Sequence, residues 1–150
     1  MARFIFVHIQ KTGGESIRAA LGLPRYEPRK HRSARELREL YTPEEWASAL
    51  KFAIVRNPWD RLVSWWSFIN SRRGLYFSGY PVNKFVRYVL SNAATFQELI
   101  ERCDAEIHDE DGAKWIFRNQ LDYITDENGQ QIVDFVGRFE RLLLHAGSRR

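Results

Sequence analysis

A short apolar run that ends in a pair of glycines constrains the fold of this chain more than any other feature. Residues 4–9 are rich in aromatic and β-branched side chains, which indicates a buried strand, and a Lys-Thr-Gly-Gly turn follows at residues 11–14. Over residues 15–21 the apolar positions recur with helical spacing. The chain therefore begins as strand, tight turn and helix, the unit from which α/β proteins are built.

The same pattern returns once along the chain. Residues 51–55 form a second apolar run, and Pro58 after it suits the first turn of a helix. Capping-box spacings at Ser33 and Thr42 predict two more helix starts. The remaining predictions are helices over residues 83–90, 95–103 and 139–145, a strand over 131–136, a loop or lid over 71–81 and an exposed acidic stretch over 103–112. Strands that alternate with helices predict a parallel sheet in one domain over residues 1–150.

Composition narrows the classes of partner. The chain has 150 residues, 44% of them hydrophobic, which is too apolar for a disordered protein. Its net charge of +4 favours anionic partners such as phosphates, sulfated sugars or an acidic membrane surface. The single cysteine excludes an internal disulfide framework. No apolar run approaches the roughly 20 residues of a transmembrane helix, so we expect a cytoplasmic protein, with a peripheral position at a membrane as the alternative.

The first strand-to-helix turn, here called the glycine loop (residues 8–16), has the chemistry of an anion site. Glycines let the backbone turn tightly, and the helix that follows directs free amides and its positive dipole end toward one point. Lys11 adds a positive charge, while Thr12 and Ser16 add hydroxyl donors. A Walker A loop has its lysine after the glycines, whereas Lys11 precedes Gly13. The alternative is an ordinary strand-to-helix turn with a surface lysine.

The second junction presents an arginine. Arg56 follows its strand at the carboxyl end, where open α/β sheets bind ligands, and a guanidinium suits a phosphate. Ser64 lies about two turns into the following helix. The alternative for Arg56 is a bond to Asp60 or a role as a helix cap. Two anion sites on neighbouring strand ends would suit a nucleotide with phosphates on both sides of its ribose.

Three segments of the chain resemble the sulfotransferase family. Residues 8–16 (HIQKTGGES) resemble its 5′-phosphosulfate loop, which usually has Pro in place of Gln10 and Thr or Ser in place of Glu15. Residues 56–66 (RNPWDRLVSWW) resemble its 3′-phosphate motif without departure. Residues 135–140 (FVGRFE), with Asn-Gln at 119–120 and Tyr at 123, resemble a later block of the carbohydrate-type members, including small bacterial ones. The three blocks follow the family's order, and the resemblance spans residues 4 to about 143, nearly the whole chain.

The resemblance implies an enzyme that transfers a sulfonate group from 3′-phosphoadenosine 5′-phosphosulfate (PAPS) to a hydroxyl, with a carbohydrate as the expected acceptor. It implies a P-loop-NTPase-like α/β fold of three layers, with a short central parallel sheet flanked by helices. It assigns the 5′-phosphosulfate to Lys11, Thr12, Gly13, Gly14, the backbone of Glu15, and Ser16, and the 3′-phosphate to Arg56 and Ser64. Lys11 is also catalytic, because its ammonium would neutralise charge on the bridging oxygen as the sulfonate leaves. We expect no metal.

The acceptor hydroxyl needs a general base, and histidine is suited to that task near neutral pH. His8 lies in the first strand, while His108 and His145 lie where we expect solvent. His31 lies in the basic loop (residues 24–32). Residues 30–34 (KHRSA), followed by a helix, resemble a loop of the small bacterial sulfotransferases, and relatives of the uronyl 2-O-sulfotransferase kind also have a histidine upstream of the Arg-x-Pro strand. His31 is therefore the predicted base. Glu15 is its rival, although a glutamate beside a phosphosulfate would repel the donor.

Several alternatives stay open at this point. The family continues past the Phe-Glu pair of its later block, so we expect the C-terminal part of the family domain to be missing from residues 1–150. The other candidate functions are a non-catalytic nucleotide-binding remnant, a P-loop nucleotide kinase and a nucleic-acid binder. No recognised nucleic-acid motif is present, so we expect no nucleic-acid partner. Six basic residues are candidates for lining a site for an acidic glycan, and the alternative is that they form a solvated basic face. They are Arg25, Arg29, Lys30, Arg32, Arg72 and Arg73.

Overall fold

The computed structural model of the chain describes residues 4–28, 30–109 and 112–146, with side chains as far as residue 142. The chain divides into two compact units, residues 1–57 with 119–150, and residues 58–118. In chain order the elements are β1 (Phe4–Val7), α1 (Gly14–Ala20), α2 (Ala34–Arg38), α3 (Pro43–Ser48), β2 (Leu50–Val55), α4 (Pro58–Asn70), α5 (Arg73–Phe77), α6 (Lys84–Asn92), α7 (Phe96–Arg102), β3 (Ile107–Asp109), β4 (Gly112–Lys114), a 3-10 turn (Gln120–Tyr123), β5 (Phe135–Arg138) and α8 (Phe139–Ala146).

The first unit contains a parallel three-stranded sheet with β2 in its centre. β1 pairs with β2, with Phe6 opposite Phe52, and β2 pairs with β5, with Ala53 opposite Val136. The strands are largely apolar, as expected of a parallel sheet covered by helices. The buried core of this unit consists of Val7, Ile9, Ala34, Ala53, Tyr123, Ile124 and Val133. The predicted α/β class, with a short parallel sheet flanked by helices, is confirmed.

Local sequence signals set the helix starts. Ser33 caps α2 and Thr42 caps α3, and in both helices the glutamate three residues on bonds back to the capping residue. Thr95 caps α7 in the same way. The predicted capping boxes are therefore confirmed, and α2 brings the end of the basic loop back toward the sheet of the first unit through the buried Ala34.

The second unit is built on packed helices. The ring of Trp65 in α4 lies 5.1 Å, centroid to centroid, from that of Phe85 in α6. β3 and β4 form an antiparallel hairpin, and its Asp109 carboxylate accepts bonds from the first two backbone amides of α6. Lys114 Nζ lies 2.9 Å from the same carboxylate, and both side chains are buried. The core consists of Leu62, Trp65, Ile69, Phe85, Val86, Val89, Leu90, Ala93, Leu99, Cys103 and Ile116.

One predicted strand is displaced toward the C-terminus. The prediction covers residues 131–136, whereas β5 begins at Phe135. The Asp134 carboxylate accepts the backbone N–H of Lys51 at 2.8 Å, and the Asp134 amide donates to the Lys51 carbonyl at the same distance. These bonds, with the ion pair between Lys51 Nζ and Asp134, fix where pairing with β2 starts.

Three further predictions are wrong in detail. The first strand ends at Val7, two residues early, because the chain turns there into the glycine loop. The predicted loop at residues 71–81 contains α5. The stretch at 103–112, predicted to be exposed, contains β3 and the buried Cys103, and its Asp109 is buried because Lys114 neutralises the carboxylate. Glu110 and Asp111 lie outside the described residues.

Candidate functional site

The glycine loop turns through two left-handed residues. Lys11 has φ +66°, the only positive φ of a non-glycine residue within the described parts of the chain, and Gly13 has φ +81° at the N-cap of α1. Thr12 between them is fully buried, and its Oγ1 donates to the carbonyl oxygen of Ile9 at 2.9 Å. The Thr12 hydroxyl is therefore used inside the loop. Strained backbone of the Lys11 kind is concentrated at functional sites.

Both glycines are needed for space. A Cβ atom on Gly14 would lie 2.0 Å from the ring of His8, and one on Gly13 would lie 2.7 Å from the ring of Phe139. His8 follows the end of β1, and Phe139 is the first residue of α8. The glycine pair therefore lets the loop rest directly against both side chains, and any larger residue would displace it.

Arg56, at the carboxyl end of β2, reaches the glycine loop. Its Nη1 donates to the carbonyl oxygen of Lys11 at 3.4 Å. Its guanidinium carbon lies 4.4 Å from the centroid of the Phe139 ring, a cation–π contact. Arg56 Nε is buried and has no hydrogen-bond partner among the described residues. The two predicted anion-binding segments thus meet, and α8 supports both.

Two side chains hold the backbone around Arg56 in place. Gln120 Oε1 accepts the N–H of Arg56 at 2.9 Å, and Gln120 Nε2 donates to the Arg56 carbonyl at 2.8 Å. This pair of bonds imitates a neighbouring strand beyond the end of β2. Glu140 Oε1 accepts the N–H of Asn57 at 2.6 Å. That bond, with a bond to its own backbone and the charges of Arg56 and Arg138, lowers the pKa of Glu140.

Two histidine rings lie together beside the loop, with centroids 4.5 Å apart. His8 is 2% exposed, and its burial, with the charges of His31, Lys30 and Arg18, lowers its pKa to about 2. His8 is therefore neutral and unsuited to act as the base. His31 is half-buried, and its Nδ1 lies 3.1 Å from the carbonyl oxygen of His8. Because a carbonyl oxygen only accepts, Nδ1 of His31 carries the proton, and Nε2 is the acceptor of the neutral ring.

Three other predicted residues lie on helices. Glu15 and Ser16 are exposed in the first turn of α1, and Glu15 Oε1 lies 2.6 Å from Lys30 Nζ. The Ser16 amide donates to the carbonyl of Gly13 at 3.1 Å. Ser64 is half-buried in α4. Because α4 belongs to the second unit, the role of Ser64 stays a prediction.

The basic residues predicted for an acidic glycan fall into different settings. Arg25 is exposed and Arg32 is half-buried in the basic loop, whereas Arg29 lies outside the described residues. Arg72 Nη1 donates to the Phe68 carbonyl at 2.7 Å, and its guanidinium stacks on the Phe68 ring. Arg73 Nη2 donates to the carbonyl of Ala93 at 3.2 Å. Arg72 and Arg73 thus contact groups of the second unit.

The first unit contains the predicted residues Lys11, Thr12, Gly13, Gly14, Glu15, Ser16, His31 and Arg56. The sulfotransferase family profile matches residues 2–147, almost the full length of the chain. The chain belongs to the sulfotransferase family. Comparisons of this sulfotransferase with curated proteins and with solved structures give no significant match. Family membership supports sulfonate transfer in general, and it implies a nucleotide donor, generally PAPS, and an acceptor substrate.

Sequence reasoning gave no role to three residues of the sulfotransferase that shape this site. Phe139 supports the glycine loop and Arg56, while Gln120 and Glu140 fix the chain around Arg56. Their only sequence signal is the third block of the family resemblance. Within the described residues, no helix is long and apolar enough to cross a membrane. The same residues contain no group of three or more His, Cys, Asp or Glu side chains that could hold a metal ion.

Proposed function

We propose that this sulfotransferase transfers a sulfonate group from PAPS to a hydroxyl of a carbohydrate. The observation that carries the proposal is the bond from Arg56 Nη1 to the carbonyl of Lys11. It joins the two segments that a nucleotide with phosphates on both sides of its ribose would need. The proposed carbohydrate class is supported by the likeness of residues 135–140 to the carbohydrate-type members, and by the exposed Arg25 of the basic loop.

The 5′-phosphosulfate would be held by the glycine loop: by the Lys11 ammonium, the backbone around Gly13 and Gly14, and the Ser16 hydroxyl. Thr12 and Glu15 would contribute backbone groups, because the Thr12 hydroxyl bonds to Ile9 and the Glu15 carboxylate bonds to Lys30. During transfer, charge grows on the oxygen that bridges phosphorus and sulfur. A fixed ammonium near that oxygen stabilises the transition state more than the ground state, which is the role we propose for Lys11.

The 3′-phosphate would be held by Arg56, with Ser64 of α4 as the second residue. The fixed backbone around Arg56 supports this role, since Gln120 and Glu140 hold it before any ligand binds. We also propose that both units belong to one sulfotransferase domain of P-loop-NTPase-like architecture. Support comes from the family profile, which spans both units, and from the glycine turn that follows a strand of a parallel sheet.

The general base is proposed to be His31. Its Nε2 would take the proton of the acceptor hydroxyl while that oxygen forms the new bond to sulfur. The sulfur–oxygen bond to the 5′-phosphate breaks in the same step, and its electron pair stays on the departing adenosine 3′,5′-bisphosphate. The bond from His31 Nδ1 to the His8 carbonyl supports this assignment, because it orients the ring and selects the tautomer. The rival, Glu15, has its carboxylate engaged by Lys30.

Donor binding can be tested by thermal unfolding with adenosine 3′,5′-bisphosphate. At 100 times the dissociation constant the ligand should stabilise the protein by about 2.7 kcal/mol. For a chain of this size that raises the unfolding midpoint by roughly 5–10 °C. ATP with magnesium is the matched control, and a shift with ATP alone would indicate a nucleotide kinase instead. Absence of any shift in folded protein would overturn the proposed donor.

The base can be tested with the substitution His31→Ala. We expect sulfonate transfer from radiolabelled PAPS to a panel of glycans to fall by about 10²–10⁴-fold, while bisphosphate binding persists. The control is His108→Ala, which removes an exposed histidine of the second unit. If His31→Ala keeps its transfer rate and Glu15→Gln loses it, Glu15 is the base. A wild type that binds the bisphosphate but transfers nothing to any glycan would favour the non-catalytic alternative.

A further inference from the structure

Lys30, which neighbours the predicted base in sequence, is held against the donor helix. Its Nζ lies 2.6 Å from Glu15 Oε1 and 3.3 Å from the carbonyl oxygen of Arg25. The Lys30 side chain is only 14% exposed, whereas that of Glu15 is 53% exposed. Lysine is rarely this well covered unless its charge is paired. The contact therefore fixes a lysine of the basic loop on the first turn of α1.

Glu15 is an electrostatic liability in an anion site. It directly follows Gly14 of the glycine loop and adds a negative charge to the first turn of α1, the helix whose start is proposed to hold a phosphosulfate. Two negative groups within several ångströms repel each other, and the repulsion acts even in a partly solvated setting. The nearby Arg18 does not offset this charge, because its Nη2 is paired with Glu27 at 2.6 Å. Lys30 is the cation that the structure pairs with Glu15.

Among the described residues, the side chains of Arg18, Lys30 and His31 join the basic loop to the donor segment. Arg18 Nη2 donates to the Pro24 carbonyl at 2.8 Å as well as to Glu27. His31 contacts the carbonyl of His8, and Lys30 contacts Glu15 between these two points. The loop that carries the proposed base is thus anchored to the same residues that precede and begin α1.

We propose that Lys30 is a positioning residue for the donor: it neutralises Glu15 and holds that carboxylate on the basic loop, so that a glutamate in the glycine loop does not weaken anion binding. The inference rests on the proposed function for the identity of the donor. It explains how this chain binds PAPS despite the acid that stands where the family usually has Thr or Ser. Lys30 acts through Glu15 and does not itself contact the reacting atoms.

The test compares a set of variants by calorimetric titration with adenosine 3′,5′-bisphosphate. Lys30→Met should weaken binding about tenfold, because it leaves the Glu15 charge uncompensated. Glu15→Gln combined with Lys30→Met should recover most of the lost affinity, since the repelling charge is gone. Lys30→Arg should bind within about threefold of the wild type, as it keeps a cation. Arg38→Met removes an exposed positive charge from α2 and controls for net charge.

The outcomes separate the inference from the proposed function. If Lys30→Met and the double variant bind equally weakly, Lys30 has only a structural role and the inference is overturned. If Lys30→Met binds as tightly as the wild type, Glu15 needs no neutralisation and the inference is likewise overturned. If the folded wild type does not bind the bisphosphate at all, the proposed donor is wrong and the inference falls with it. Recovery in the double variant supports both.

Discussion

The first unit fixes its strand ends with polar bonds, whereas the second unit fixes its helices with apolar contacts. Around the site, Gln120 holds the backbone of Arg56, Glu140 holds Asn57 and Thr12 holds Ile9. In the second unit, aromatic and aliphatic side chains fill the space between α4, α6 and α7. Each polar bond to the backbone defines a position and contributes only about 0.5–1.5 kcal/mol net, while a buried large apolar side chain contributes about 1.5–3 kcal/mol. Substitutions of the polar residues around the site should therefore mainly damage activity, and substitutions in the core of the second unit should mainly damage stability.

The largest expected difference between the two units is in stability, and it follows from removing a core side chain of the second unit. Phe85 is fully buried against Trp65, so Phe85→Ala should lower the free energy of unfolding by about 3–5 kcal/mol. Urea unfolding measures this change. The control is Phe77→Ala, because Phe77 is 69% exposed and its loss should cost less than about 0.5 kcal/mol. Equal losses in both variants would show that the described core does not carry the stability.

In the first unit, the strongest effect on activity is expected at Lys11. Lys11→Ala should reduce kcat for sulfonate transfer by about 10²–10³-fold, because the charge on the bridging oxygen loses its cation. The free energy of unfolding should hardly change, because alanine and lysine have a similar conformational cost in the left-handed region that residue 11 adopts. Lys84→Ala, an exposed lysine at the start of α6, is the matched control in the second unit. A large fall in the unfolding midpoint of Lys11→Ala would contradict this division of roles.

A smaller effect is expected at Gln120, where a substitution should change both stability and donor binding. Gln120→Leu removes both partners of the Arg56 backbone and should cost about 1–3 kcal/mol of stability. It should also weaken binding of adenosine 3′,5′-bisphosphate, because Arg56 loses its fixed position. Titration calorimetry and urea unfolding measure the two effects. Gln130→Leu, at an exposed turn of the same unit, should change neither, and an unchanged affinity in Gln120→Leu would rule out its positioning role.

The last effect concerns the dependence of stability on pH. The pKa of His8 is lowered from 6.5 to about 2 in the folded protein. Below pH 6.5, His8 is therefore protonated in the unfolded chain while it stays neutral in the folded chain. The free energy of unfolding is therefore highest above pH 6.5, as far as His8 is concerned. It decreases by about 1.4 kcal/mol per pH unit as the pH falls below 6.5. Asp134 and Glu140, whose pKa values are also lowered, lose their contribution only below their ordinary range near pH 4.

The interval from pH 6.5 to 5 is therefore one in which the contribution of His8 to stability changes while those of Asp134 and Glu140 do not. Urea unfolding at several pH values should give a steep slope for the wild type and a shallower one for His8→Gln. His108→Gln replaces an exposed histidine and should keep the wild-type slope. Parallel slopes for all three proteins would mean that another group governs the acid sensitivity of the first unit.

Much of the fold could be predicted because it depends on neighbours in sequence. The caps at Ser33 and Thr42 and the apolar runs of β1 and β2 are signals of this local kind. The start of β5 could not be predicted, because it is fixed by bonds between Asp134 and Lys51, which are far apart in sequence. An apolar run shows that a strand is favoured but does not set its register.

The site divides in the same way. The turn at Lys11 and Gly13 and the position of Arg56 at a strand end could be predicted, because such junctions have recognisable residues, while the roles of these residues stay predictions. Gln120 and Glu140 acquire their roles only when distant segments meet at Arg56. Glu15 appeared as a repulsive departure because its partner, Lys30, cannot be recognised without the path of the basic loop.

The left-handed conformation of Lys11 has a consequence for the engineering of this enzyme. A lysine at φ +66° pays a conformational penalty of about 1–2 kcal/mol that a glycine would escape. A search for thermostable variants would therefore select glycine at position 11 early. The more stable variant would then lack the Lys11 ammonium that is proposed to stabilise the transition state. At this one residue, selection for robustness and selection for turnover favour opposite choices.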